Sequence, residues 1–195
     1  MREWKGFKLL SLDVETHSPN GFPYEMEDPV VIATLTASKH LDVRRGTAIT
    51  TLIAPPEREG ELLKLLASLL GLFNEEVVLI TYNGSRFDLP YLNYRASLYG
   101  LNLEAELSRF KHLDLYKAVK KLLLLRSYSL KNVENHLGIR RVIEGVSGGN
   151  VYSAFESFLK EGNLLGAFYN AEDSFNALLI LRRLLELTRS EESNL

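Results

Sequence analysis

The sequence predicts one α/β domain built on a mixed five-stranded sheet. Three observations predict it. The first quarter of the chain reads as three consecutive strands rich in Val, Ile and Thr, joined by turn-forming segments. The remainder alternates helix and strand, which calls for crossover connections. The 195 residues contain no linker, repeat or low-complexity tract, and that length suits a single hydrophobic core.

Phe7 to Glu15 is apolar with β character. His17-Ser18-Pro19-Asn20-Gly21-Phe22-Pro23 carries the residues of a turn, and Val30 to Ser38 and Gly46 to Ile53 read as the next two strands. Pro55-Pro56 ends the third. Leu62, Leu63, Leu66, Leu69 and Leu70 recur at helical spacing within Glu57 to Phe73. Val77 to Tyr82 is a short apolar run, the pattern of a strand buried on both faces. Asn83-Gly84 then turns the chain into a helix from Asp88 to Tyr99, where Pro90 lies in the first turn and costs no backbone donor. His112 to Leu115 is the last strand, running into a helix from about Tyr116 to Leu125. A shorter helix, Leu130 to Leu137, has Ser129 as its cap and Gly138 as its stop. Glu144 to Asn150 is a loop, followed by helices over Val151 to Lys160 and about Leu164 to Thr188. The sheet is expected to hold three antiparallel strands and then two crossover strands.

Composition narrows the class of function. No run of eighteen apolar residues exists, and Met1-Arg2-Glu3-Trp4-Lys5-Gly6 does not resemble a signal peptide, so a soluble, cytoplasmic protein is expected. There is no cysteine, hence no disulfide framework and no thiolate metal site. The four histidines show no zinc spacing, which leaves oxygen donors for any metal. Gln is absent and Met scarce, a depletion that points to a thermophile, although Asn is not depleted. Net charge is −2, yet Arg109 to Arg141 holds nine basic residues against Asp114 and Glu134. Two readings of that segment stay open: a path for a phosphate backbone, or a solvated helix face whose long side chains cover apolar surface.

Carboxylates interrupt otherwise apolar elements in three short motifs: Asp13-Val14-Glu15, Asn83-Gly84-Ser85-Arg86-Phe87-Asp88, and Tyr169-Asn170-Ala171-Glu172-Asp173. A buried unpaired carboxylate is costly, and divalent cations are the natural counterions for a group of them. On a strand Asp13 and Glu15 share a face while Val14 points to the core. On a helix Tyr169 and Asp173 lie about 40° apart, so a helix packed on the first strand would aim both at Asp13, with Glu172 about 100° away. Taken singly, each has a plainer reading. Asp-x-Glu pairs are common, Asp88 would serve as a helix N-cap, Asp173 would be solvated and Tyr169 would be packing. Asp114 is a fifth acid, read as a helix cap or a support for the others.

As a set, the motifs resemble those of the DEDD superfamily of 3′–5′ exonucleases, which share a ribonuclease H-like fold. Asp13 and Glu15 match the first motif; Asn83, Phe87 and Asp88 match the second; Tyr169 and Asp173 match the third in the form that marks the tyrosine subgroup. His112-Leu113-Asp114-Leu115-Tyr116-Lys117 and Tyr128-Ser129-Leu130-Lys131-Asn132-Val133 are similar to the proofreading domain of archaeal family-B DNA polymerases and its stand-alone relatives. The sequence shows no polymerase module, so a free-standing exonuclease is expected. The resemblance implies two Mg²⁺ or Mn²⁺ ions, with Asp13 bridging them, Glu15 and Asp173 completing one site and Asp88 holding the second. It implies that Tyr169 orients the attacking water, since a phenol with a pKa of about 10 is a poor base at neutral pH. It places the terminal 3′ hydroxyl at Thr16 and the terminal nucleotide against Asn83 and Phe87, although Phe87 as plain core stays open. The implied substrate is the 3′ end of single-stranded nucleic acid, DNA before RNA, in a DNA-repair setting. Lys117, Lys120, Lys121, Arg126 and Lys131 are the cations available to hold the strand. Two alternatives are an inactive nucleic-acid-binding module, which would be expected to have lost a carboxylate, and an exoribonuclease. An endonuclease or resolvase of the same fold would usually lack the tyrosine motif. Oligomeric state is not readable from the sequence.

Overall fold

The structure, a computed structural model, describes residues 6–23, 25–43 and 45–192. The N-terminal segment 1–5, most of the stretch read as unlike a signal peptide, lies outside the described residues. Strands β1 (Leu9–Thr16), β2 (Val30–Ser38), β3 (Thr47–Ile53), β4 (Val78–Thr81) and β5 (Lys111–Asp114) form one sheet in the order β3-β2-β1-β4-β5. β1 pairs antiparallel with β2, and β2 with β3. β4 is parallel to β1 and β5 to β4. The expected mixed sheet is the observed one.

β1 shows how the sequence divides the molecule into two layers. Its even residues, Leu10, Leu12 and Val14, enter a core shared with α1 (Glu59–Leu70), α2 (Asp88–Ser97) and α3 (Leu103–Leu107). Its odd residues face α7 (Leu165–Glu192): Leu9 joins a second core with Leu178, Leu181 and Leu184. The Ser11 carbonyl receives the Ser174 hydroxyl. Period-two alternation thus sends Leu10, Leu12 and Val14 to one face and Leu9, Asp13 and Glu15 to the other. Full burial of a Leu contributes about 1.5–3 kcal/mol, and Leu10, Leu63, Leu66 and Leu79 are all fully buried.

β2 is buried along its whole length although it carries Thr34, Thr36 and Ser38. Their hydroxyls are paired, with Thr51, Ser174 and Thr47 respectively, which removes the cost of desolvating them.

Several boundaries differ from expectation. The first helix begins at Glu59, because Pro55-Pro56 leads into a short 3₁₀ turn over Pro56–Arg58. The helix expected over Tyr116 to Leu125 is α4 (Leu115–Leu122), capped by Asp114, whose side chain accepts the Tyr116 N–H. α5 (Leu130–His136) begins after Ser129 as expected, but the Ser129 hydroxyl makes no cap and pairs with Ser127. Gly138, at φ 68°, ends that helix in the left-handed conformation a glycine tolerates. α6 (Val151–Glu161) and the 28-residue α7 close the chain. α3 was not expected at all. No helix among the described residues is long and apolar enough to cross a membrane.

Candidate functional site

The three motifs converge on one cleft of about 550 Å³ at the C-terminal ends of β1 and β4. Its lining includes Asp13, Glu15, Asp88, Tyr169 and Asp173, together with Thr16, Asn83 and Phe87. β1 delivers the first two acids from its α7-facing side. A register irregularity between Glu15 and Thr16 breaks the pairing with β2 where the strand enters the cleft, a common way to redirect a side chain at a site. Beyond the irregularity, the buried Thr16 hydroxyl pairs with Ser18.

The second motif is held by an acid. Asn83 has φ 64°, and Gly84 packs so closely that an added Cβ would lie 2.5 Å from the Thr81 Cβ. Asp114 accepts the backbone N–H groups of Asn83 and Ser85, the Ser85 hydroxyl and the Tyr116 N–H. Burial works against the Asp114 charge, but these hydrogen bonds prevail and hold its pKa below the ordinary carboxylate value. Asp114 is therefore the clamp that presents Asn83 and starts the path to Asp88, matching its reading as a cap and support. Asp88 itself opens α2. Phe87 lines the cleft and also packs, its ring 4.9 Å from those of Phe22 and Tyr91.

Asp13, Glu15 and Asp173 each place a ligand oxygen within 4.8 Å of the others. Burial chiefly, then the charges of Asp88, Asp173 and Glu15, push the Asp13 pKa well up, against the opposing pull of Arg141. Burial, then Asp173 and Asp88, does the same to Glu15. Burial raises Asp88 to about 7, with the Asp114 charge adding and backbone hydrogen bonds opposing. Burial also raises Asp173 to about 6, although Arg141 and the Tyr169 hydroxyl stabilise its charge. Asp88 lies outside the tight group of three but shares their cleft and their field. Such a set of mutually repelling oxygen donors is what a hard divalent cation relieves. The residues present fit that group. Burial chiefly, then the charges of Asp173 and Glu15, push the Tyr169 pKa above the ordinary value, so its hydroxyl stays protonated and able to donate.

Arg141, counted among the cations for a phosphate backbone, is not free for one. Its guanidinium bonds Glu134 and Asp173, approaches Glu172 at 3.8 Å and lies over the Tyr169 ring at 5.2 Å. Its Nη1 is buried without a hydrogen bond. Arg109 pairs with Glu106. Lys131 donates to the Val146 carbonyl at 3.0 Å. Lys117, Lys120, Lys121 and Arg126 are exposed, and none of these four nor Lys131 lines the cleft. Lys120 sits over the rings of Tyr116 and Tyr128, which adjoin Tyr82 at the cleft wall. Glu172 points away from the acid group and accepts the N–H groups of Val142 and Ile143. It is a fastener for that loop.

Further residues, to which the sequence alone assigns no role, shape the site and its surroundings. Asn170, fully buried, donates to Asp13 Oδ2 at 2.6 Å. Its position three before Asp173 on a helix was the available signal. Phe22, from the loop between β1 and β2, and Tyr152, from α6, both line the cleft. His17 joins that loop to α6 by bonding Glu156 at 2.9 Å and packing on Tyr152. Behind the loop, the fully buried Glu59 receives the Val30 N–H, the Arg95 guanidinium and the Tyr99 hydroxyl, while Arg95 also holds the carbonyls of Met26 and Glu27.

This architecture is shared. The chain is 29% identical over 160 residues to a DNA polymerase of Methanocaldococcus jannaschii, a match covering 69% of this chain and 9% of that protein. It is 23% identical over 201 residues to a DNA polymerase of Archaeoglobus fulgidus, covering 95% of this chain and 24% of that one. The chain thus spans a quarter or less of the length of these curated relatives. The structure of the family B DNA polymerase from Pyrobaculum calidifontis superposes with a TM-score of 0.70 at 21% identity, over 90% of this chain and 24% of that chain. The RNase_H_2 family model, of the RNase_H superfamily, matches residues 12–185, from the strand that carries Asp13 to the helix that carries Asp173. The sheet order, the convergence of the motifs and that match agree: the chain belongs to the RNase_H superfamily.

Proposed function

We propose that this chain is a metal-dependent 3′–5′ exonuclease that hydrolyses terminal phosphodiester bonds of single-stranded nucleic acid, DNA in preference to RNA. Superfamily membership and the acid group support a nuclease-type function. The observation that carries the finer reading is the meeting of all four motif acids and Tyr169 in one cleft. Asp13, Glu15 and Asp173 would hold one Mg²⁺ or Mn²⁺, and Asp13 with Asp88 a second. When bound, the ions supply hydroxide near neutral pH and neutralise charge on the reacting phosphate.

The protein's own groups then have separate tasks. Tyr169, kept neutral by its surroundings, donates a hydrogen bond that orients the attacking water. The Thr16 region receives the terminal 3′ hydroxyl. Asn83 and Phe87 border the terminal nucleotide, with Phe87 offering a ring that is sequence-tolerant because every base has a stacking face. Outside the cleft, Lys120 with Tyr116 and Tyr128, and the exposed Lys117, Lys121 and Arg126, are the candidates for the strand path. Unpairing an end costs a few kcal/mol that a single strand does not incur, which favours single-stranded substrate.

The test is product analysis on 5′-labelled single-stranded DNA and RNA of matched sequence, with Mg²⁺ and with EDTA. The expected result is a ladder shortened one nucleotide at a time from the 3′ end, faster on DNA and abolished by EDTA. Robust cleavage in excess EDTA, or internal cuts only, overturns the proposal.

A further inference from the structure

We propose that Asn170 is a positioning residue that fixes the Asp13 carboxylate in the orientation needed to take up a divalent cation. The inference rests on the metal-dependent reading above and assigns a task to a residue outside the motif acids.

Asn170 lies on α7, fully buried against β1. Its Nδ2 donates to Asp13 Oδ2 at 2.6 Å. Its Oδ1 is buried and has no partner. An amide with one end unpaired in a dry helix–sheet contact is a poor choice for stability, because desolvating the carbonyl is not repaid. An alanine or leucine would avoid that cost. The paired end is therefore the reason for the residue. A carboxylate pivots about its Cβ–Cγ bond, and Asp13 sits among three acids that repel it. A hydrogen bond at Oδ2 restrains the pivot and would leave Oδ1 available to ligate a cation.

The chemical type also fits. The donor has to hold the carboxylate without replacing the metal. An Arg or Lys there would neutralise Asp13 and compete with the cation, as Arg141 already does at Asp173. A neutral amide donates one hydrogen bond and leaves the charge available. Outer partners of this kind are worth about 10- to 100-fold in metal affinity.

The experiment measures Mn²⁺ binding to the full chain without nucleic acid, by electron paramagnetic resonance of free Mn²⁺, alongside the thermal midpoint in EDTA. Asn170→Ala and the similarly sized Asn170→Leu are compared with wild type, singly and in an Asp13→Asn background. The expected result is about 10- to 100-fold weaker Mn²⁺ binding with a metal-free midpoint within a few degrees of wild type. In the Asp13→Asn background the second substitution should weaken binding no further. Unchanged affinity in the single variants overturns the proposal while leaving the nuclease reading intact. So does a full additive loss in the double variants, which would place the effect elsewhere. If neither variant folds in EDTA, Asn170 is structural and the proposal fails. If wild type itself does not bind Mn²⁺, the metal-dependent reading falls and takes this inference with it.

Discussion

Asp88→Asn removes one acid from the cleft while keeping the side chain's shape, and in the absence of metal it should stabilise the fold near pH 8. Burial chiefly, with the Asp114 charge adding, raises the Asp88 pKa from its ordinary 3.8 to about 7 in the folded protein. Between those values the folded state holds a proton that the unfolded chain has released. The group's contribution is therefore complete below about pH 4, declines as pH rises, and is lost above about pH 7. A pKa difference of about 3 corresponds to about 4 kcal/mol. Burying the asparagine amide returns about 1–3 kcal/mol of that, which leaves a net gain of about 1–3 kcal/mol. For a domain of this size that is a rise of roughly 3–10 °C in Tm. The assay is urea and thermal denaturation of both proteins in EDTA at about pH 4 and about pH 8. The variant should be the more stable at the higher pH and the less stable, by about 1–3 kcal/mol, at the lower, where only the cost of the buried amide remains. Saturating Mg²⁺ should narrow or reverse the difference, because wild type gains more from ligand binding. A variant less stable than wild type at about pH 8 without metal, or an equal difference at both pH values, would refute the assignment of Asp88 to a repelling buried group.

Arg141→Ala strands Glu134, which is 1% exposed and, among the described residues, keeps only Asn176 as a side-chain partner, so urea denaturation should show a loss of about 3–5 kcal/mol. A loss under about 1 kcal/mol would mean the carboxylates are compensated by other means. Asp114→Ala frees the backbone of Asn83 and Ser85 and should cost about 2–3 kcal/mol, with nuclease activity falling further than stability at a temperature where the variant is fully folded. Gly84→Ala drives a Cβ into Thr81 and should lower stability by about 1–3 kcal/mol in the same denaturation assay. Tyr169→Phe should lower turnover roughly 10- to 1,000-fold with little change in KM, measured on single-stranded DNA, because a hydrogen bond felt in the transition state is lost. An unchanged rate would reduce Tyr169 to packing.

What the sequence discloses depends on the range of the interaction. β1 could be read because period-two alternation separates Leu10, Leu12 and Val14 from Asp13 and Glu15 within eight residues. The pairing of Tyr169 with Asp173 follows from one helical turn. α3 was illegible because five residues give too little length for a 3.6-residue period, although Asn102 does cap it through the Ala105 N–H. The role of Arg141 was illegible for another reason. Its partners lie 7 and 32 residues away, and in a charge count an arginine paired to buried acids looks the same as one free to meet phosphate. Asn170 stood inside a quoted motif, but only the approach of α7 to β1 shows that its amide meets Asp13.

The buried anchorage behind the 17–29 loop has a consequence for how this scaffold can change. Glu59 and Arg95 grip the end of the loop through Met26 and Glu27 and the start of β2 through Val30, and Tyr91 adds the Asp28 carbonyl. Gly60 has no side chain, so Tyr99 can reach the same carboxylate; an added Cβ would lie 2.6 Å from its ring. The tip that carries Phe22 to the cleft takes no part in this grip. Sequence change at the tip therefore leaves this grip intact, and touches the frame through the Ser18 contact with Thr16 and the Phe22 contact with Phe87. A laboratory library confined to Ser18–Phe22 could reshape one lip of the cleft while the acids and this grip stay fixed, which makes this segment the natural handle for retuning what the cleft admits.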